Sequence, residues 1–228
     1  MEKTIKMELF PIQKKVLDLF KESNLNGKFY WTGGTMLSFV YLKHRLSVDL
    51  DFFSGTSFNY DDVIGFINDL KFVLKLSKVE GKKIFDRYEF FLTNSENVRL
   101  EFVFYNFPAL KPRRKLEGIL IDSLDDIAAN KTMAFFDRND VKDLFDIYFL
   151  INKKRFTPQK LLKLVEKKFG VKFSEGNFWS ESFKSFEKLD NLMPFLIVKN
   201  EKRKKDILKE IKKYFTKSSK KFLDRQFE

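Results

Sequence analysis

The chain has 228 residues, 43% of them apolar, with 29 Phe, one His, no Cys and a net charge of +12. That length suffices for one large domain or two modest ones, the apolar content suffices for a packed core, and the high Phe content argues against disorder. The lack of Cys removes disulfides, Cys-ligated zinc and Cys nucleophiles together, and a lone His44 leaves no His cluster and nearly excludes a His-based triad.

The first ten residues, "MEKTIKMELF", lack the apolar core of a leader. No apolar run reaches the ~20 residues of a membrane span, so a cytoplasmic location is expected. Residues 9–23 place Ile12, Val16, Leu19 and Phe20 at helical spacing. Phe29 to Thr32 reads as a short strand. Gly33-Gly34 breaks it, and Thr35 is placed to cap a helix over roughly 35–43. Val48 to Phe53 is a second strand, and 60–75 is helical, with Val63, Ile64, Ile67, Leu70 and Leu74 on one side. "KKIFDRYEFFLT" and "NVRLEFVFY" read as two strands around "NSEN", a hairpin.

The character changes near Ser123. "SLDDIAANKTMAFFDR" opens with a cap and first-turn acids, and "DVKDLFDIYFLINKK" follows. "TPQKLLKLVEKKFG" has Thr157 as cap, Pro158 at the first helical position and Gly170 as stop. A last helix carries Ile207, Leu208, Ile211, Tyr214 and Phe215 on one stripe among lysines. The last thirty residues hold 12 Lys/Arg against 5 Asp/Glu. Such an excess attracts polyanions, although solvated lysines on surface helices account for it equally well. The expected division is a mixed strand-helix part over 1–122 and a helical part over 123–228, packed on it.

The chemistry sits on the second strand. Strand side chains alternate, so Asp49 and Asp51 share one face while Leu50 and Phe52 share the other. Two neighbouring carboxylates stay ionised together only with positive charge nearby, and hard oxygen ligands suit Mg²⁺. An isolated Asp-x-Asp is more often two surface aspartates. Upstream, however, Gly33 and Gly34 allow close backbone approach, at a turn into a helix whose first N–H groups favour phosphate. Thr35 adds a hydroxyl. A phosphate cradle followed by a carboxylate pair makes a nucleotide site.

This order resembles the nucleotidyltransferase superfamily related to DNA polymerase beta, whose signature is Gly-Gly-Ser/Thr, a helix, then Asp-x-Asp on a strand. The likeness is closer to the AbiEii/AbiGii toxin family: "TGGTML" and "HRLSVDLDFF" match its first block. Lys131, Ala134, Arg138, Lys142, Asp143, Leu144, Asp146 and "IYFL" match its second. The resemblance spans roughly residues 10–155.

The resemblance implies an α+β fold: a polymerase beta-like core, with a small mixed sheet flanked by helices, then a helical C-terminal part. It implies Asp49 and Asp51 as ligands of Mg²⁺ or Mn²⁺ and as catalytic residues. Gly33, Gly34 and Thr35 become the phosphate cradle. Glu101 is the candidate third carboxylate; its alternative is a surface glutamate paired with Arg99 or a cross-strand lysine. Lys131 would contact nucleotide phosphates with Asp143 orienting it; its alternative is a salt bridge to Asp143 or Asp146. Arg45 would reach a phosphate or Asp49, while His44 reads as a hydrogen-bonded structural residue. "KPRRK" at 111–115 is a basic loop that would bind nucleic acid or be simply solvated.

The implied activity is metal-dependent transfer of NMP from an NTP to an acceptor. The expected acceptor is RNA such as the tRNA 3′ end, in a toxin–antitoxin or phage-defence setting with a cognate antitoxin. Two alternatives stand beside it: a nucleotidyl- or phosphotransferase acting on a small molecule or protein, and an inactive RNA-binding relative.

Overall fold

The computed structural model describes residues 8–138 and 140–227. They form two compact units, residues 8–127 and residues 128–227. Part of the leader reading, residues 1–7, lies outside the described residues.

The first unit is built on a seven-stranded mixed sheet in the order β3-β4-β5-β2-β1-β7-β6. Its strands are β1 (Tyr30–Thr32), β2 (Leu50–Ser54), β3 (Lys78–Ile84), β4 (Arg87–Thr93), β5 (Asn97–Phe104), β6 (Arg114–Leu116) and β7 (Ile119–Ile121). Helix α1 (Pro11–Glu22) precedes β1 and α3 (Tyr60–Val73) follows β2. Between β1 and β2 a short α2 (Gly33–Met36) widens into a π-helical turn, Leu37–Leu42. The central strand β2 runs antiparallel to β1 and parallel to β5.

One face of the central strands is an aromatic core. Phe52 stacks on Phe20 of α1 at 4.2 Å and on Phe102 of β5 at 5.3 Å. Phe66 of α3 meets Phe20 edge-on at 5.9 Å. Phe20, Phe29, Phe52 and Phe102 are fully buried, and each such side chain contributes about 1.5–3 kcal/mol by leaving water. This covered face fixes the register of β2. A slip of one residue would drive Asp49 and Asp51 into the phenylalanines. Phe53 and Phe104 are only half-buried; Phe53 lies on the Asp face by strand parity.

Several boundaries differ from the sequence expectation. The helix after β1 starts at Gly33 with Thr32, not Thr35, at its cap position. "KKIFDRYEFFLT" is not one strand: it is the end of β3, a turn and β4. The turn is at Phe85-Asp86, where Phe85 takes φ +50° and is 90% exposed. An aromatic in the left-handed region is uncommon, and no glycine announces it. The basic run 111–115 is partly strand, because Arg114 and Lys115 open β6, which pairs with β7.

The second unit is helical: the bulk of α4 (Leu124–Arg138), then α5 (Val141–Lys154), α6 (Pro158–Phe169), α7 (Glu175–Lys184), a 3₁₀ segment (Phe186–Phe195) and α8 (Glu201–Phe227). α6 starts and stops as its sequence dictates. The Thr157 side chain accepts from the Lys160 N–H at 3.1 Å, Pro158 opens the helix, and Gly170 ends it at φ +71°. Phe135, Phe145, Phe178, Leu192, Ile211 and Phe215 form the buried interior of this unit. Among the described residues no helix is long and apolar enough to cross a membrane.

Candidate active site

The site begins at the end of β1. Gly33 has φ +78°, and a Cβ there would stand 1.7 Å from Asp51 Oδ2. No residue but glycine leaves the Asp51 carboxylate its place. A Cβ on Gly34 would stand 2.8 Å from Arg45 Nη2 and 3.2 Å from Ser47 Oγ. The two glycines therefore let the turn press against an aspartate on one side and a guanidinium on the other.

Thr35 is buried, and its hydroxyl donates a short hydrogen bond to the Asp49 carbonyl. It ties the glycine turn to Asp49, the residue just before β2, which itself carries Asp51. Arg45 is buried at 3% exposure, with Nη1 donating to the Leu46 carbonyl at 3.1 Å. His44 is equally buried, with Nδ1 3.2 Å from Ser38 Oγ, the environment of a structural histidine.

Asp49 and Asp51 are half-buried on the sheet face opposite the phenylalanines. Strand register places further groups in line with them. Asp51 faces Thr32 on one side and Glu101 on the other, and Glu101 in turn faces Glu89 of β4. Like charges directly opposite are destabilising unless compensated. Compensation comes from Arg99, Arg87 and Lys82 on the same face. Arg99 Nη2 lies 2.8 Å from Asp49 Oδ2, and its Nη1 lies 2.6 Å from Glu101 Oε1. Arg87 Nε lies 3.0 Å from Glu89 Oε1, and Lys82 Nζ lies 2.9 Å from Glu89 Oε2.

Burial pushes the Glu101 carboxyl above its ordinary range, and Arg99 and Arg87 pull it part of the way back. Burial alone would lower the Arg99 pKa, but its hydrogen bond to Asp49 and the charge of Glu101 raise it. Sequence reading missed Glu89 and Arg87, because both lie on the strand that was merged with β3. The alternation Arg87, Glu89 in "DRYEFF" was the available signal.

Whether these residues suit a divalent ion can be judged from the donors. Asp49 and Asp51 offer hard oxygens on one half-exposed face, and the glycine turn leaves Asp51 just enough room; this fits Mg²⁺ chemistry. Among the described residues no three carboxylates or imidazoles are already gathered around one point. Glu101, the candidate third carboxylate, is turned to Arg99 and Arg87.

In the helical unit, Lys131 has its ammonium 3.0 Å from Asp143 Oδ1 and 2.9 Å from Asp146 Oδ2. Arg138 completes the cluster, with Nε 2.7 Å from Asp143 Oδ2 and Nη2 3.0 Å from Oδ1, a bidentate grip. Both aspartates are fully buried and the Lys131 side chain is 10% exposed. The structure thus contains the salt bridges that the sequence offered as an alternative for Lys131.

The basic run 111–115 is partly consumed by the fold. The Arg113 guanidinium lies 3.6 Å over the Tyr30 ring and 3.4 Å from Asp122 Oδ1. Thr32 Oγ1 donates to the other Asp122 oxygen at 3.0 Å. Burial and the Asp122 charge push the Tyr30 phenol above its ordinary value.

Comparison with known proteins places this geometry. The family model described as "Nucleotidyl transferase AbiEii toxin, Type IV TA system" matches residues 15–226. The Aquifex aeolicus (strain VF5) protein aq_aa25 is 30% identical over 159 residues, 69% of this chain and 74% of that protein. Two Helicobacter pylori crystal structures share the fold. JHP933 has a TM-score of 0.54 at 18% identity, covering 96% of this chain and 100% of that one. A protein described as a candidate nucleotidyltransferase has a TM-score of 0.55 at 21% identity, covering 92% of this chain and 94% of that one.

Proposed function

This chain belongs to the AbiEii family of nucleotidyltransferase toxins, and from that premise we propose that it transfers NMP from an NTP to an RNA acceptor in a Mg²⁺-dependent reaction. The observation that carries the proposal is the pairing of Asp49 and Asp51 on one sheet face with a glycine turn that makes room for Asp51. Asp49 and Asp51 hold the divalent ion, with Mn²⁺ as the alternative, and Glu101 is the third carboxylate in register beside Asp51. When bound, the ion polarises the α-phosphorus and offsets the charge that develops there.

The chain's own residues supply the rest. Gly33, Gly34 and Thr35 shape the turn against which the phosphates lie, and Arg45 adds a fixed positive charge behind it. Lys131, oriented by Asp143, is assigned to nucleotide phosphates. The acceptor hydroxyl oxygen bonds to the α-phosphorus and gives up its proton to water, as the bond to the bridging α–β oxygen breaks and pyrophosphate leaves. The acceptor is assigned as the 3′ end of an RNA such as tRNA. The basic α8, with its excess of lysines, supports a polyanionic acceptor. The biological setting that follows is a toxin with a cognate antitoxin, acting in the cytoplasm.

Incubation with labelled NTPs, Mg²⁺ and total tRNA tests the assignment. Label should enter tRNA with wild type and not with an Asp49→Asn/Asp51→Asn double variant. Label appearing instead in a small molecule or a protein would transfer the same site to another acceptor. No transfer by wild type, or equal transfer by the double variant, rejects the reading.

A further inference from the structure

The sheet face carries a cation of its own at the place where the proposed metal ligands lie. Arg99 bridges Asp49 and Glu101 through its two terminal nitrogens, at 2.8 and 2.6 Å. It is two-thirds covered, and its neighbours on the strand keep it on the acidic face by parity. A guanidinium fork spanning two carboxylates is a strong and directional arrangement. It satisfies the Asp49 oxygen that a metal ion would need.

We propose that Arg99 is a positioning residue that competes with the divalent ion for Asp49. In the metal-free protein it neutralises the carboxylates and holds them in line. When the ion binds, Arg99 gives up Asp49. Glu101 is held on its far side by Arg87, whose Nη1 lies 3.8 Å from Glu101 Oε2. Arg99 and Arg87 together therefore decide whether Glu101 turns toward the ion as a third ligand. The network continues to Glu89, which Arg87 and Lys82 hold at 3.0 and 2.9 Å, so the acidic row stays neutralised after Arg99 moves. The consequence is a site with deliberately modest affinity for the free ion. The inference rests on the assignment of Asp49 and Asp51 as metal ligands.

Calorimetric titration of the full chain with Mn²⁺ alone, without nucleotide, reads this directly. The proteins compared are wild type, Arg99→Gln, Arg99→Lys and Asp49→Asn. Removing a positive charge that touches a ligand should tighten Mn²⁺ binding on the order of tenfold in Arg99→Gln. Arg99→Lys, whose single ammonium cannot span both carboxylates, should fall between it and wild type. Melting should show Arg99→Gln less stable than wild type in chelator, with the gap closing in saturating Mn²⁺. A purely structural arginine would lower stability in both conditions and leave affinity unchanged. Equal or weaker Mn²⁺ binding by Arg99→Gln overturns the inference while leaving the metal assignment intact. If Arg99→Gln fails to fold, equal or weaker binding by Arg99→Lys overturns it instead. Absence of Mn²⁺ binding by every protein, or binding that survives Asp49→Asn, overturns the metal assignment and the inference with it.

Discussion

Two charged clusters in this chain contain similar residues in different environments. On the sheet, Asp49 and Arg99 are each about one-third exposed, and water can replace either partner. In the helical unit, Asp143 and Asp146 are fully buried, and Lys131 and Arg138 close around them. An exposed pair of this kind contributes about 0–1 kcal/mol. Breaking a buried pair costs about 3–5 kcal/mol, because the remaining charge is left without compensation. The Asp49–Arg99 pair is therefore free to exchange partners with a ligand, whereas the helical cluster serves first to hold helices α4 and α5 together.

Substitutions at the two clusters should separate activity from stability. The largest effect is expected at the sheet. Asp49→Asn or Asp51→Asn should lower nucleotidyl transfer by about 1,000-fold or more and change the urea midpoint little. A large loss of stability there would erase the distinction between the clusters. Next comes Lys131→Met, which removes the ammonium that touches both buried aspartates, Asp143 and Asp146. It should destabilise the protein by about 3–5 kcal/mol in urea unfolding. A loss of activity without that destabilisation would show that its phosphate contact outweighs its salt bridges.

Gly33→Ala should act more gently on the fold, costing about 1–2 kcal/mol for the positive φ alone. Its Cβ must displace the Asp51 carboxylate, so Mn²⁺ affinity measured by calorimetry should fall much further than stability. The smallest effect concerns pH. The folded Tyr30 phenol lies above its ordinary value, so the unfolded chain loses this proton first. Stability is then lost as pH rises above about 10. Tyr30→Phe should show a flatter melting profile between about pH 9 and 11 than wild type.

The face that Asp49 and Asp51 share was legible in the sequence, because strand alternation needs no knowledge of neighbours. So were the glycine turn and the start and stop of α6, which depend on local chemistry at Thr157, Pro158 and Gly170. What could not be read were the pairings. That Asp51 lies opposite Glu101, and Glu101 opposite Glu89, follows from strand order, which no local pattern encodes. The β3–β4 turn was hidden because Phe85 takes a backbone conformation usually given to glycine or asparagine. Arg113 was grouped with its basic neighbours, although its stacking partner Tyr30 is distant in sequence.

The assignment of Asp49 and Asp51 to a divalent ion on nucleotide phosphates is open to a crystal structure of the chain with Mn²⁺ and an NTP analogue that cannot be cleaved between its α- and β-phosphates. Anomalous density is expected in contact with both Asp49 and Asp51, with triphosphate against the turn at Gly33-Gly34 and Arg99 withdrawn from Asp49. Density for Mn²⁺ and nucleotide elsewhere, with the Arg99–Asp49 pair intact, would contradict it.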